Sequence, residues 1–138
     1  MADKCIKVGI IGFGIVGTGA YRVLTDNAEQ IEQRVGAQVR VTKIADIDWD
    51  RQRTVEVPDR LKTTHADEVL SDPEIQIIVE TVGGVDPARD FVMAAIDHGK
   101  SVVTSNKELV ARHGDEILTA AAQSDVDVQF EGAVGGVI

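Results

Sequence analysis

The chain is poor in cysteine, short of positive charge and without a long apolar run, and each lack excludes a class of protein. Cys5 is the only cysteine among 138 residues, which rules out an intrachain disulfide and a cysteine-based zinc site. A reducing, cytoplasmic setting fits that usage best. Lys and Arg number 14 against 23 Asp and Glu, for a net charge of -9. That balance opposes a nucleic-acid backbone or an anionic membrane as partner, so any phosphate the chain binds must be held by local geometry. No apolar stretch approaches the ~20 residues of a membrane span, and the start, Met1-Ala2-Asp3-Lys4, lacks a long apolar signal segment. The expectation is a soluble protein. The three histidines, His65, His98 and His113, lie far apart and read as surface residues rather than zinc ligands. Asp46, Asp48 and Asp50 imitate the first half of a calcium loop, but Arg51 stands where that loop needs glycine and Val57 where it needs glutamate. No repeat, low-complexity tract or linker divides the sequence, which predicts one domain over residues 1–138.

What is present is an alternation of apolar runs with helical patterns, the signature of a parallel sheet covered by helices on both faces. The predicted class is doubly wound, Rossmann-like α/β. Runs rich in Val and Ile predict strands at Ile6 to Ile11, Val39 to Ile47, Ile75 to Thr81, Ser101 to Thr104 and Val126 to Glu131, with a short one at Leu61 to Thr63. One long helix is predicted from Ile15 to Val35, ended by Gly36 as a left-handed cap. Asp86-Pro87 predicts a helix with Asp86 as cap, closed by Gly99. Thr64 and Asp67 stand at capping-box spacing before a short helix to Leu70, and Asn106 to Ser124 reads as helix with a break near Gly114.

Within that frame, Gly12-Phe13-Gly14-Ile15-Val16-Gly17 follows the first strand and opens the first helix. In such a unit the first glycine permits the tight turn, the second lets backbone approach a pyrophosphate, and the third lets helix pack on strand. The helix N-terminus offers free amides and the positive end of its dipole to the anion. A carboxylate at the end of the second strand accepts hydrogen bonds from the adenosine ribose and repels a 2′-phosphate; Asp46 and Asp48 are the candidates, farther from Gly17 than the usual ~20 residues because the first helix is long. Arg51 and Arg53 follow, either as readers of a 2′-phosphate or as a solvated loop. Both NAD and NADP remain open, with NAD favoured. Glu80-Thr81-Val82-Gly83-Gly84 ends another strand with a hydroxyl and glycines that allow close approach to a ligand, Glu80 serving the neighbouring loop. Thr104-Ser105-Asn106-Lys107 lies at the C-terminal end of a strand, where open α/β sheets bind ligands. Lys107 there either stabilises negative charge on a substrate oxygen or is a surface lysine at a helix start.

Together IKVGIIGFGIVGTG, IVETVGG, VVTSNKELVA and VQFEGAVGG, in this order and spacing, resemble the N-terminal nucleotide-binding part of homoserine dehydrogenases over nearly the whole chain. These enzymes interconvert homoserine and aspartate 4-semialdehyde with NADH or NADPH, on the way to threonine and methionine. The resemblance implies that Gly12, Phe13, Gly14, Ile15, Val16, Gly17 and Thr81 touch the cofactor, with Gly83 and Ser105 beside them, and that Lys107 is the lysine at the nicotinamide and substrate. It also implies a sodium site built mainly from backbone carbonyls at Glu131, Val134, Gly136 and Ile138. Many members carry an arginine near the end of the second strand, where this chain has Asp46-Ile47-Asp48. The family's substrate-binding domain and most of its dimer contacts match nothing here. The expectation is therefore a cofactor domain cut at its boundary, which binds a dinucleotide but does not turn over or dimerise firmly alone, from a homo-oligomeric parent acting on a small amino acid. The alternatives are the cofactor domain of another dehydrogenase, of aspartate or sugar type, and a non-catalytic NAD(H)-sensing module.

Overall fold

The structure is a computed structural model and describes residues 4–130. Six strands form one parallel sheet: β1 Cys5–Ile11, β2 Gln38–Ala45, β3 Lys62–Thr63, β4 Ile77–Glu80, β5 Ser101–Thr104 and β6 Val128–Phe130, in the order β3-β2-β1-β4-β5-β6. Helices α1 Ile15–Asp26, α2 Ala28–Val35, α3 Ala66–Leu70, α4 Asp86–Asp97 and α5 Lys107–Ser124 connect them. This is the doubly wound Rossmann-like order, and the winding reverses between β1 and β4, which opens a crevice at their C-terminal ends.

Successive residues of a strand face opposite sides, and β1 and β2 use this to feed two cores. Ile10 and its register partner Ile44 pack with Phe13 and Tyr21 on one face, while Ile11 and its partner Ala45 join Val69, Ile78 and Val92 on the other. The register between β1 and β2 slips by one residue after Val8, so that Thr42 is passed over, and its hydroxyl is the one buried side-chain oxygen without a partner among the described residues. That bulge sits on the strand whose end carries Asp46.

The elements differ from the sequence reading in several places. The long first helix is two, because Asn27 leaves helical geometry at φ -110 and ψ 26; Thr25, Asp26 and Asn27 in succession are side chains that favour ends and turns over helix interiors. Gly36 does close the second of them in the left-handed region, at φ 85. Helix α4 starts one residue early, with Val85 at the cap and Asp86-Pro87 already helical; Val85 packs on the core, which fixes where the chain turns in. The box from Thr64 to Asp67 does not form, since His65 caps α3 without a side-chain bond. Strand β2 ends at Ala45 rather than Ile47, and β4 starts at Ile77 rather than Ile75. The break in α5 falls at His113, beside Gly114, and its N-terminus is capped by Asn106, whose side chain accepts from the Leu109 amide.

Candidate functional site

A cleft of about 690 Å³ lies over the C-terminal ends of β1, β2 and β4. Its walls come from the turn Gly12 to Gly14, from Asp46 and Ile47 after β2, from Thr64 to Asp67 after β3, and from Thr81 to Gly83 after β4. The three glycines of the turn differ in what surrounds them. Gly12 adopts φ 93, a conformation that side chains rarely take. A Cβ on Gly17 would stand 2.1 Å from the Gly12 carbonyl oxygen, so α1 can approach β1 only because that residue has none. A Cβ on Gly14 would meet nothing within 4 Å. No neighbouring atom of the chain crowds Gly14, which lines the cleft where the motif brings a pyrophosphate against backbone.

Gly14 is also the cap of α1, and among the described residues no side chain bonds the amides that follow it. The first turn carries no acidic residue, and the first intrahelical bond runs from the Thr18 amide to the Gly14 carbonyl at 2.9 Å. Among the described residues, the N-terminal amides of α1 and the positive end of its dipole thus lack a built-in anion. This fits the phosphates of a dinucleotide, which a chain of net negative charge must hold by local geometry.

The β4 side of the cleft is fixed by a buried carboxylate. Glu80 is fully buried; its Oε1 accepts from Thr104 Oγ1 at 2.5 Å and its Oε2 from the Val82 amide at 2.7 Å. Burial pushes its carboxyl above the ordinary glutamate range, and the two hydrogen bonds pull the other way. Asn106 Nδ2 donates to the carbonyls of Val82, at 3.2 Å, and Gly84, at 2.5 Å. The segment Thr81 to Gly84 is therefore tied to β5 and α5 from behind, which leaves its front to the cleft. Lys100, also buried, performs a similar office at the opposite, N-terminal end of β4 and β5 by donating to the Asp72 and Ile75 carbonyls. Its burial lowers the pKa.

The family model described as "Homoserine dehydrogenase, NAD binding domain" matches residues 12–131. The chain belongs to that family. Among curated relatives, the homoserine dehydrogenase of Bacillus subtilis is 34% identical over 133 residues, which are 96% of this chain and 31% of that protein. Among solved structures, a homoserine dehydrogenase from Thiobacillus denitrificans superposes with a TM-score of 0.88 at 46% identity, covering 94% of this chain and 30% of that one. A hyperthermophilic archaeal homoserine dehydrogenase in complex with NADPH superposes with a TM-score of 0.67 at 25% identity, over 93% of this chain and 44% of that one. The chain thus spans about a third of the curated relatives it matches.

Against the expectations for a homoserine dehydrogenase cofactor domain, the structure gathers some site residues and separates others. Gly12, Phe13, Gly14, Asp46, Thr81 and Gly83 line one cleft. Ile15 and Val16, 93% and 54% exposed, begin α1 at its mouth. Asp46 and Asp48 part company: Asp46 faces the cleft, whereas Asp48 is exposed and its carboxylate accepts from the Asp50 amide at 3.1 Å. Ser105 and Lys107 follow β5, which β1 and β4 separate from β2, outside the lining of this cleft. Lys107 is exposed at the first residue of α5 and makes no ion pair among the described residues. Glu131, Val134, Gly136 and Ile138, the expected cation ligands, lie outside the described residues. Among the described residues no group of three His, Cys, Asp or Glu is placed to hold a metal, and no helix is long and apolar enough to cross a membrane.

Two features escaped the sequence. Thr64 to Asp67, Pro87 and Phe91 wall the cleft; β3, only two residues long, delivers the first of these, and the rule that ligands sit beyond strand ends could have found them. Arg53 is neither a free phosphate reader nor solvated. Its side chain is 9% exposed and pairs with Asp46, while Arg51, 52% exposed, reaches the same Asp46 oxygen at 3.2 Å.

Proposed function

We propose that this chain is the cofactor-binding part of an enzyme that interconverts homoserine and aspartate 4-semialdehyde by hydride transfer. The observation that carries the reading is the open face of Gly14, set in a cleft at the reversal of the sheet and beside a helix N-terminus that no side chain caps. When bound, the nicotinamide dinucleotide supplies or accepts the hydride. The chain's own residues hold and orient it. The amides from Phe13 to Gly17 take the pyrophosphate, the Gly12 amide being bonded to the Ala45 carbonyl, and Thr81 and Gly83 form the wall opposite. Asp46 takes the adenosine ribose, which favours NAD(H) over NADP(H), and Ile47, 90% exposed beside it, gives an apolar rim for the base. Lys107, with Ser105 beside it, stands at the next strand end and stabilises negative charge on the substrate oxygen.

The same reading takes residues 1–138 as one dinucleotide-binding domain of a homo-oligomeric enzyme of the cytoplasm, with the small amino-acid substrate gripped by a further domain. A sodium ion held by carbonyls at Glu131, Val134, Gly136 and Ile138 rests on the family resemblance alone. The test is calorimetric titration with NADH and NADPH at fixed salt, together with aspartate 4-semialdehyde reduction by the full-length protein. Binding of NADH ahead of NADPH, with turnover only in the full-length protein, is the expected result. Absence of binding to both dinucleotides overturns it.

A further inference from the structure

Arg53, in the loop between β2 and β3, is held from several sides. Its Nε donates to the Phe13 carbonyl at 3.0 Å, its Nη1 to the Arg51 carbonyl at 3.0 Å, and its Nη2 to the Asp48 carbonyl at 2.7 Å and to Asp46 Oδ2. Its guanidinium carbon lies 4.7 Å from the centre of the Trp49 ring and 5.4 Å from that of Phe13. Four acceptors and two aromatic rings make a costly site for a nearly buried cation, repaid only while its partners stay in place. A guanidinium committed in this way has no fork left to offer a 2′-phosphate. Arg51 is different, since its one side-chain bond among the described residues is to Asp46.

Both arginines take the same carboxylate oxygen, Oδ2. Asp46 Oδ1 has no donor among the described residues, on a side chain that is 9% exposed and belongs to a residue lining the cleft. We propose that Arg53 is a positioning residue for cofactor choice: it fixes Asp46 through Oδ2 so that Oδ1 meets the adenosine ribose hydroxyls, which favours NAD(H) over NADP(H). This rests on the dinucleotide reading of the cleft and adds to it the residue that sets the preference. The bond from Arg53 to the Phe13 carbonyl, 40 residues away in sequence, places the ribose reader and the pyrophosphate turn in one frame. A carboxylate already immobilised loses little side-chain entropy on meeting a hydroxyl. A 2′-phosphate meets the same carboxylate with Arg53 spent, and Arg51 is the cation that can leave Asp46 to receive it. The two arginines therefore act in opposite senses, Arg53 for NADH and Arg51 for whatever NADPH affinity remains.

The experiment is calorimetry with NADH and NADPH at one ionic strength, on the full-length protein unchanged and with Arg53→Lys, Asp46→Asn and both together. Arg53→Lys keeps the charge and loses the fork; it is expected to weaken NADH about tenfold, the worth of one charged hydrogen bond, and NADPH far less. In the Asp46→Asn background the lysine substitution is expected to leave the NADH to NADPH ratio unmoved. Equal loss of both cofactors, or a ratio shift that persists without the carboxylate, overturns the proposal. Should Arg53→Lys not fold, Trp49→Leu strips a ring from the guanidinium while leaving every charge, and an unmoved ratio there overturns it equally. Failure of the unchanged protein to bind either cofactor is the failure of the dinucleotide reading; binding with a ratio indifferent to Arg53 is the failure of this inference alone.

Discussion

Thr81 Oγ1 donates a hydrogen bond to the Gly12 carbonyl at 2.7 Å, and the Thr81 amide donates to the Ile11 carbonyl at 2.9 Å. The end of β4 is thereby fastened to the end of β1 across the point where the winding reverses. Without that fastening the crevice would have two independently moving lips. Thr81→Val keeps the shape and removes the hydroxyl, so it is expected to cost about 1 kcal/mol in urea unfolding, the net worth of one hydrogen bond, and to weaken dinucleotide binding as well. Unchanged affinity would show that backbone pairing alone aligns the two lips.

The glycines of the turn are expected to separate stability from binding. Gly17→Ala puts a Cβ 2.1 Å from the Gly12 oxygen and 2.9 Å from Thr81 Oγ1. Backbone must move to relieve that contact, and overpacking of this kind costs about 1 to 3 kcal/mol. A Cβ at Gly14 meets no atom of the chain within 4 Å, so Gly14→Val escapes overpacking, and the loss of a residue preferred at a helix cap is expected to cost about 1 kcal/mol. Its isopropyl group fills the space where the pyrophosphate approaches, and dinucleotide binding should vanish. Thermal unfolding and calorimetry of both variants check this; a Gly14→Val protein that still binds would remove the phosphate from the turn.

Glu80 gives the fold a pH dependence of known sign. Its folded pKa lies above the ordinary value of 4.5 because burial disfavours the charged form. The folded state therefore holds more protons than the unfolded one between those two values, and stability falls as pH rises through that window. Glu80→Gln retains a carbonyl oxygen for the Val82 amide, and Thr104 can turn its hydroxyl to accept. The variant is expected to fold, and to lose the part of the fall in stability with rising pH that comes from this group. Parallel denaturant curves across the acidic range measure it, and identical pH slopes would show that Glu80 does not titrate there. Glu80→Ala leaves the Val82 amide and the Thr104 hydroxyl without their partner and is expected to cost about 1 to 3 kcal/mol for each group left unpaired.

How far the sequence revealed the fold depends on how local each cause is. Strands β1 and β5 are runs of Val and Ile between turn signals, and the glycine turn between β1 and α1 is a contiguous motif with a local reason for each glycine. The bend at Asn27 was hidden because apolar spacing continues across it into Ile31 and Val35. The cap of α4 moved to Val85 because that side chain packs on the core, which the pair Asp86-Pro87 does not announce. Least legible was the bracing of Asp46. It depends on a carbonyl at Phe13 and a ring at Trp49 meeting Arg53 in space, and neither contact has a sequence period. The carboxylate could be read from its place after β2, whereas the group that orients it could not.

Lys107 supplies the sharpest separation of function from stability. It opens α5 immediately after β5, exposed, where a positive charge gains nothing from the helix dipole. It makes no ion pair among the described residues, so the fold does not account for a cation there. Lys107→Ala is therefore expected to leave thermal unfolding almost unmoved, or slightly improved. If the ammonium stabilises the developing charge on the substrate oxygen, kcat of the full-length protein should fall by about a hundredfold or more, the scale of losing one such group, with dinucleotide affinity little altered. A variant with normal kcat and normal stability would leave Lys107 a solvated helix-start residue, and the oxygen's stabilisation would have to come from elsewhere.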